Sequence, residues 1–183
     1  MRAAICFILI VFWATSLTLP AQQPSESRFL VKLKYMKSDL PLSASTTCIA
    51  VFPDGRFHLE QRTDWPESKS QIYEGSVPDN DLKSLLAIIA DPELKDLQGI
   101  DTSSEVFTQS EHGEVAWALI SRGETTQKLL FNSRTGSPKQ SSRALPKPLG
   151  NLVGWSDATA KTLNHRKNLP LKNAKPVMCW LAN

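Results

Sequence analysis

The sequence predicts an α+β fold: an antiparallel sheet built from β-hairpins with two helices packed on it. Three observations carry this. Two tight-turn signatures, Pro53-Asp54-Gly55 and Arg122-Gly123-Glu124, each separate a pair of strand-like runs. Between the two pairs, Leu82, Leu85, Leu86 and Ile89 recur at the spacing of a helix face. The connections around the strands are short turns, whereas parallel strands need crossovers of a dozen residues or more.

Taken in order, Phe29, Val31, Leu33 and Tyr35 alternate with Arg28, Lys32 and Lys34, which predicts a half-buried strand. Residues 37–45, with Pro41, read as a loop. Residues 46–52 are β-branched and apolar and predict a second strand. After the Pro-Asp-Gly turn, residues 56–62 predict a third, with Phe57, Leu59 and Gln61 on one face. Arg56, His58, Glu60 and Arg62 share its polar face. Residues 63–70 read as a polar connection and residues 71–76 as another strand.

Pro78 suits a first helical position, and Asp79 and Asp81 place negative charge at the positive end of the helix that follows. Asp91-Pro92 stops it, and residues 93–97 allow one further turn. Residues 114–121 and 125–132 form the second hairpin. Val115, Trp117 and Leu119 face one way and Ala116, Ala118 and Ile120 the other, so this strand is expected to be central and covered on both sides. Residues 133–148 read as an exposed loop. Residues 149–166 predict a second helix carrying Leu152, Val153, Trp155, Ala160 and Leu163, although Gly150 and Gly154 weaken it.

Residues 1–21 read as a secretory signal peptide: Arg2 supplies the positive charge, residues 3–13 are apolar, and Leu19-Pro20-Ala21 ends in a small residue suited to cleavage before Gln22. Pro20 closes an apolar run shorter than the roughly 20 residues of a spanning helix. Residues 22–27 form a flexible leader and residues 28–183 a single α+β domain. The expected location is secreted or periplasmic. There, two cysteines downstream of the signal suggest one bridge, Cys48 to Cys179, tying the C-terminal end to the strand at Cys48.

Charge is split along the chain. Residues 22–124 hold 10 cations and 17 acids, whereas residues 125–183 hold 10 cations and the single acid Asp157. Arg134, Lys139, Arg143 and Lys147 occupy one loop without an intervening acid and form a candidate anion-binding set. The fitting partners are an anionic envelope polymer, a lipid surface or another protein. Nucleic acid is excluded by compartment and by the absence of a reading motif.

No catalytic, cofactor or metal residues stand out. His58, His112 and His165 lack a second ligand at helical zinc spacing. His165 suits a helix C-terminus, and His58 either pairs with Glu60 or faces water. There is no nucleophile elbow, Walker loop or dinucleotide fingerprint, so no cofactor is expected. Trp65 and Trp180, in polar or terminal segments, either cap the core edge or anchor a partner.

The stretches CIAVFPDGRFHLEQR and IYEGSVPDNDLKSLLAIIADPELKDL, within residues 48–97, resemble a loose group of exported bacterial proteins without assigned function. The resemblance implies an exported α+β domain and no activity. The expectation is a non-catalytic binding or interaction protein of the bacterial envelope or extracellular space. The competing class is a small secreted hydrolase with a noncontiguous active site. A histidine in a cleft within hydrogen-bond reach of a carboxylate or serine would favour the second.

Overall fold

The structure is a computed structural model and describes residues 29–39, 43–65, 69–99, 112–134 and 144–165. Six strands form one antiparallel sheet: β1 (Val31–Asp39), β2 (Ser43–Val51), β3 (Arg56–Trp65), β4 (Lys69–Ser76), β5 (His112–Arg122) and β6 (Thr125–Arg134). The spatial order is β4-β3-β2-β1-β5-β6. Three helices complete the fold: α1 (Asp79–Ala90), the short α2 (Pro92–Asp96) and α3 (Lys147–His165). The predicted α+β class and antiparallel hairpin sheet are what the chain adopts. The single turn expected near residue 93 is α2.

The first strands run longer than their apolar stretches. β1 continues to Asp39 and β2 starts at Ser43, so most of the expected 37–45 loop is ladder, with Lys37 opposite Ser45 and Asp39 opposite Ser43. β3 likewise continues to Trp65. Polar residues extend a strand when a paired neighbour supplies the hydrogen bonds, which local composition does not report.

Alternation decides what is buried. Val31, Leu33, Tyr35, Ile49, Val51, Phe57, Leu59, Tyr73, Ala116, Ala118, Ile120, Leu129 and Phe131 project from one face into a single core. Leu85 and Ile89 of α1, Leu94 of α2, and Leu149, Leu152, Val153, Trp155 and Ala160 of α3 meet them there. Trp155 also donates from Nε1 to the Asp81 carbonyl at 2.9 Å, fastening α3 to α1. Leu86 is a correction: it is 46 % exposed. The buried stripe of α1 is centred between Leu85 and Ile89 with Leu82 and Ile88 on its flanks, and Leu86 stands about 100° beyond Leu85.

β5 lies inside the sheet between β1 and β6. Its Ala116, Ala118 and Ile120 face is fully buried, whereas Val115, Trp117 and Leu119 are half-buried, so the second cover is partial. The Pro-Asp-Gly turn closes with Gly55 at φ 80°, a left-handed backbone that glycine adopts freely. Asp54 accepts the Arg56 backbone N–H at 3.1 Å and its guanidinium at 2.6 Å, and these bonds hold the carboxyl below its ordinary range.

Candidate functional site

His58 stands on the sheet face opposite the helices. Its strand partner across the β3–β4 ladder is Glu74, and Glu60 follows two residues on along the same face. The ring is held from both sides: Nδ1 lies 2.8 Å from Glu74 Oε1 and Nε2 lies 2.9 Å from Glu60 Oε1. Of the two expectations for His58, pairing with Glu60 or facing water, the structure shows the first. His58 is 8 % exposed and Glu60 1 %, while Glu74 is half-exposed. Cys48, Ala50 and Ile72 beside them are also buried.

Chemically the arrangement is a clip. General-base catalysis needs a ring nitrogen that can reach a substrate proton. Both nitrogens of His58 already face carboxylates, and neither described cavity is lined by His58. Among the described residues no group of three or more potential ligands could hold a metal ion.

The second feature is at the other edge of the sheet, where the β5–β6 hairpin meets α1 and α2. Arg122 is the last residue of β5, and its guanidinium turns onto the helix ends. Nη1 donates to the Ile89 carbonyl at 2.6 Å, and Nε and Nη2 donate to Gln127 Oε1 at 2.9 and 2.6 Å. The Gln127 amide nitrogen donates in turn to the carbonyls of Leu94 and Leu97, both at 2.8 Å. Two side chains of one hairpin therefore cap the carbonyls that helix geometry leaves without partners. Partial burial lowers the guanidinium's affinity for its proton.

An open cavity of about 440 Å³ adjoins this clasp, lined by Lys95, Leu97, Gln98, Gly99, Arg122, Gln127 and Lys128. Among the described residues none of its three cationic residues has an ion-pair partner. A second cavity, of about 300 Å³, lies over β2–β3–β4 and is lined by hydroxyls and amides together with Arg62 and Lys69. Both of those cations are engaged with other groups.

A third polar group sits where the core face loses its apolar residues. Tyr35 donates to Glu114, which Ser133 also approaches at 3.4 Å. Burial, with Glu114 beside it, pushes the Tyr35 phenol well above its ordinary range. Asp157 of α3 is pushed up by burial, opposed by Lys161 and Lys37.

Most of the anion-binding set expected from sequence lies outside the described residues. Lys139 and Arg143 lie outside the described residues, as do the side chain of Arg134 and the signal segment. Lys147 opens α3 and is exposed. Cys48 is 2 % exposed and is not a free thiol, while Cys179 and Trp180 lie outside the described residues. His112 and His165 end strand and helix, and their side chains are not described, nor is that of Trp65. Sequence reasoning missed Glu74 as a His58 partner and missed the Lys95, Arg122 and Lys128 grouping altogether. Only ladder register could have indicated Glu74, and only helix docking the cations.

No family model matches the chain, and neither a curated protein nor a solved structure matches it. Its class therefore stands on fold and site alone: an antiparallel α+β domain with a buried histidine on the face opposite its helices and an open cavity bordered by cations.

Proposed function

We propose that this chain is an exported, non-catalytic binding protein of the bacterial envelope or extracellular space. The observation that supports the non-catalytic half is His58. It is the one described histidine side chain, it is buried, and both its nitrogens are held by Glu60 and Glu74. The export half is supported by the apolar, proline-closed segment at residues 1–21. No helix among the described residues is long and apolar enough to cross a membrane.

The hydrolase reading draws on one specific observation, the 2.9 Å His58–Glu60 contact, which resembles a base with its orienting carboxylate. Glu74 on the other nitrogen counts against it. The deciding experiment expresses the full chain with its leader in a bacterial host, follows export and processing, and profiles the mature protein against ester, amide and glycoside substrates. Processed, exported protein with no turnover is expected. Turnover abolished by His58→Gln in a folded variant would overturn the binding reading, and retention in the cytoplasm would overturn export.

The Cys48–Cys179 disulfide belongs to the same proposal. Cys48 stands on the face that the described helices leave uncovered, yet is buried and engaged. A basic C-terminal segment joined there would complement the carboxylates of Glu60 and Glu74. Thiol labelling of denatured, unreduced mature protein should find no free cysteine, and two labels per chain would end the idea.

A further inference from the structure

We propose that the cavity bordered by Lys95, Arg122 and Lys128 is a binding site for a small phosphate-bearing ligand. This names a ligand class for the binding reading above and rests on it. The residues come from three elements: Lys95 from α2, Arg122 from β5 and Lys128 from the edge strand β6. The fold concentrates them where, among the described residues, no acid forms an ion pair with them.

Three properties point to phosphate. The first is charge. Three cationic residues without ion-pair partners among the described residues surround one open volume. A carboxylate would answer one of them, whereas a phosphate monoester carries about −1.5 to −2 at neutral pH. The second is donor geometry. Arg122 commits three N–H contacts to Gln127 and Ile89, whose oxygens carry no formal charge. A guanidinium has five N–H donors, so others remain for an oxyanion. Its plane is already fixed by the clasp, so little side-chain entropy is lost on binding. The lysines act as mobile point charges around it, the usual division of labour in phosphate recognition. The third is size. At about 440 Å³ the cavity falls in the range of small-molecule sites, with room for a sugar- or glycerol-phosphate.

The cavity over β2–β3–β4 makes a useful contrast. It is smaller, at about 300 Å³, and its cations, Arg62 and Lys69, are engaged with other groups.

The test titrates the mature protein with inorganic phosphate, glycerol 3-phosphate and glycerol by calorimetry at low and high salt. Phosphatidylglycerol vesicles form a separate arm. Saturable binding of the phosphates, and none of glycerol, is expected. Lys95→Gln with Lys128→Gln should weaken it about tenfold, because two partly solvated ion pairs are lost. Lys83→Gln with Lys161→Gln removes the same charge from exposed sites elsewhere and should leave it unchanged. Arg122→Lys keeps the charge and loses the planar fork, and should weaken binding in a protein whose circular dichroism is unaltered. Equal weakening by the two double variants would overturn the site, since binding would then follow net charge alone. No response to either phosphate would also overturn it, as would retention on vesicles without any response to glycerol 3-phosphate. None of these results would itself disturb the non-catalytic reading, which the turnover experiment tests.

Discussion

Nε2 of His58 lies 2.9 Å from Oε1 of Glu60, two residues along the same strand, with the carboxylate withdrawn from solvent. Glu74 closes the other side of the ring from β4 at the sheet edge. Removing one partner of this buried pair costs the other a hydrogen bond, about 1–3 kcal/mol. His58→Leu and Glu60→Leu should each destabilise the fold by about that much. The double variant should cost less than the sum, a coupling of at least about 1 kcal/mol in a denaturant-melt cycle. Glu74→Gln, at a half-exposed position, should cost under about 1 kcal/mol. Additivity of the first pair would show that the contact contributes no coupling.

The Arg122–Gln127 clasp should set the local stability of α2. A helix of five residues is too short to persist without tertiary contacts. Gln127→Met leaves the Leu94 and Leu97 carbonyls without their amide donor and should cost about 1–3 kcal/mol. Hydrogen exchange should quicken first at residues 93–97. Faster exchange spread evenly over the sheet would contradict this localisation.

Asp157 gives the fold a pH dependence of definite sign. Burial raises its carboxyl affinity for a proton above the ordinary aspartate value; Lys161 and Lys37 oppose this and Glu114 reinforces it. The folded chain therefore binds more protons than the unfolded chain between the ordinary and raised pKa values. Stability contributed at this site falls as pH rises through that window. Asp157→Asn should stabilise relative to the parent at about pH 7 by less than about 1 kcal/mol, with a smaller gain at about pH 3. A gain larger in acid than at neutrality would reverse the assignment.

Glycine substitutions should split by location. A Cβ at Gly154 meets nothing within 4 Å, so Gly154→Ala should raise stability by about 0.5–1 kcal/mol through helix propensity alone. Gly55 sits at φ 80° with Leu82 Cδ2 3.3 Å from its virtual Cβ, and Gly55→Ala should cost about 1–2 kcal/mol. Thermal melts of the two variants should move in opposite directions.

The amino-acid sequence by itself determined the local pieces: the two hairpins, the helix opening at Pro78-Asp79, the α+β class, and the shared face of His58 and Glu60. Each depends on residues within a few positions of one another, where turn chemistry and side-chain period act directly. Tertiary structure decided the rest. That β1 lies between β2 and β5 is a long-range pairing, and alternation is equally satisfied by other strand orders. The exposure of Leu86 depends on the angle at which α1 meets the sheet. The burial of His58 and Glu60 depends on what lies over their face, and the partnership with Glu74 on the β3–β4 register. Lys95 and Arg122 meet only because the ends of α1 and α2 dock on a hairpin some thirty residues away. A contact at that separation leaves no periodic trace in the chain, since the free energy that selects it comes from packing whole elements together.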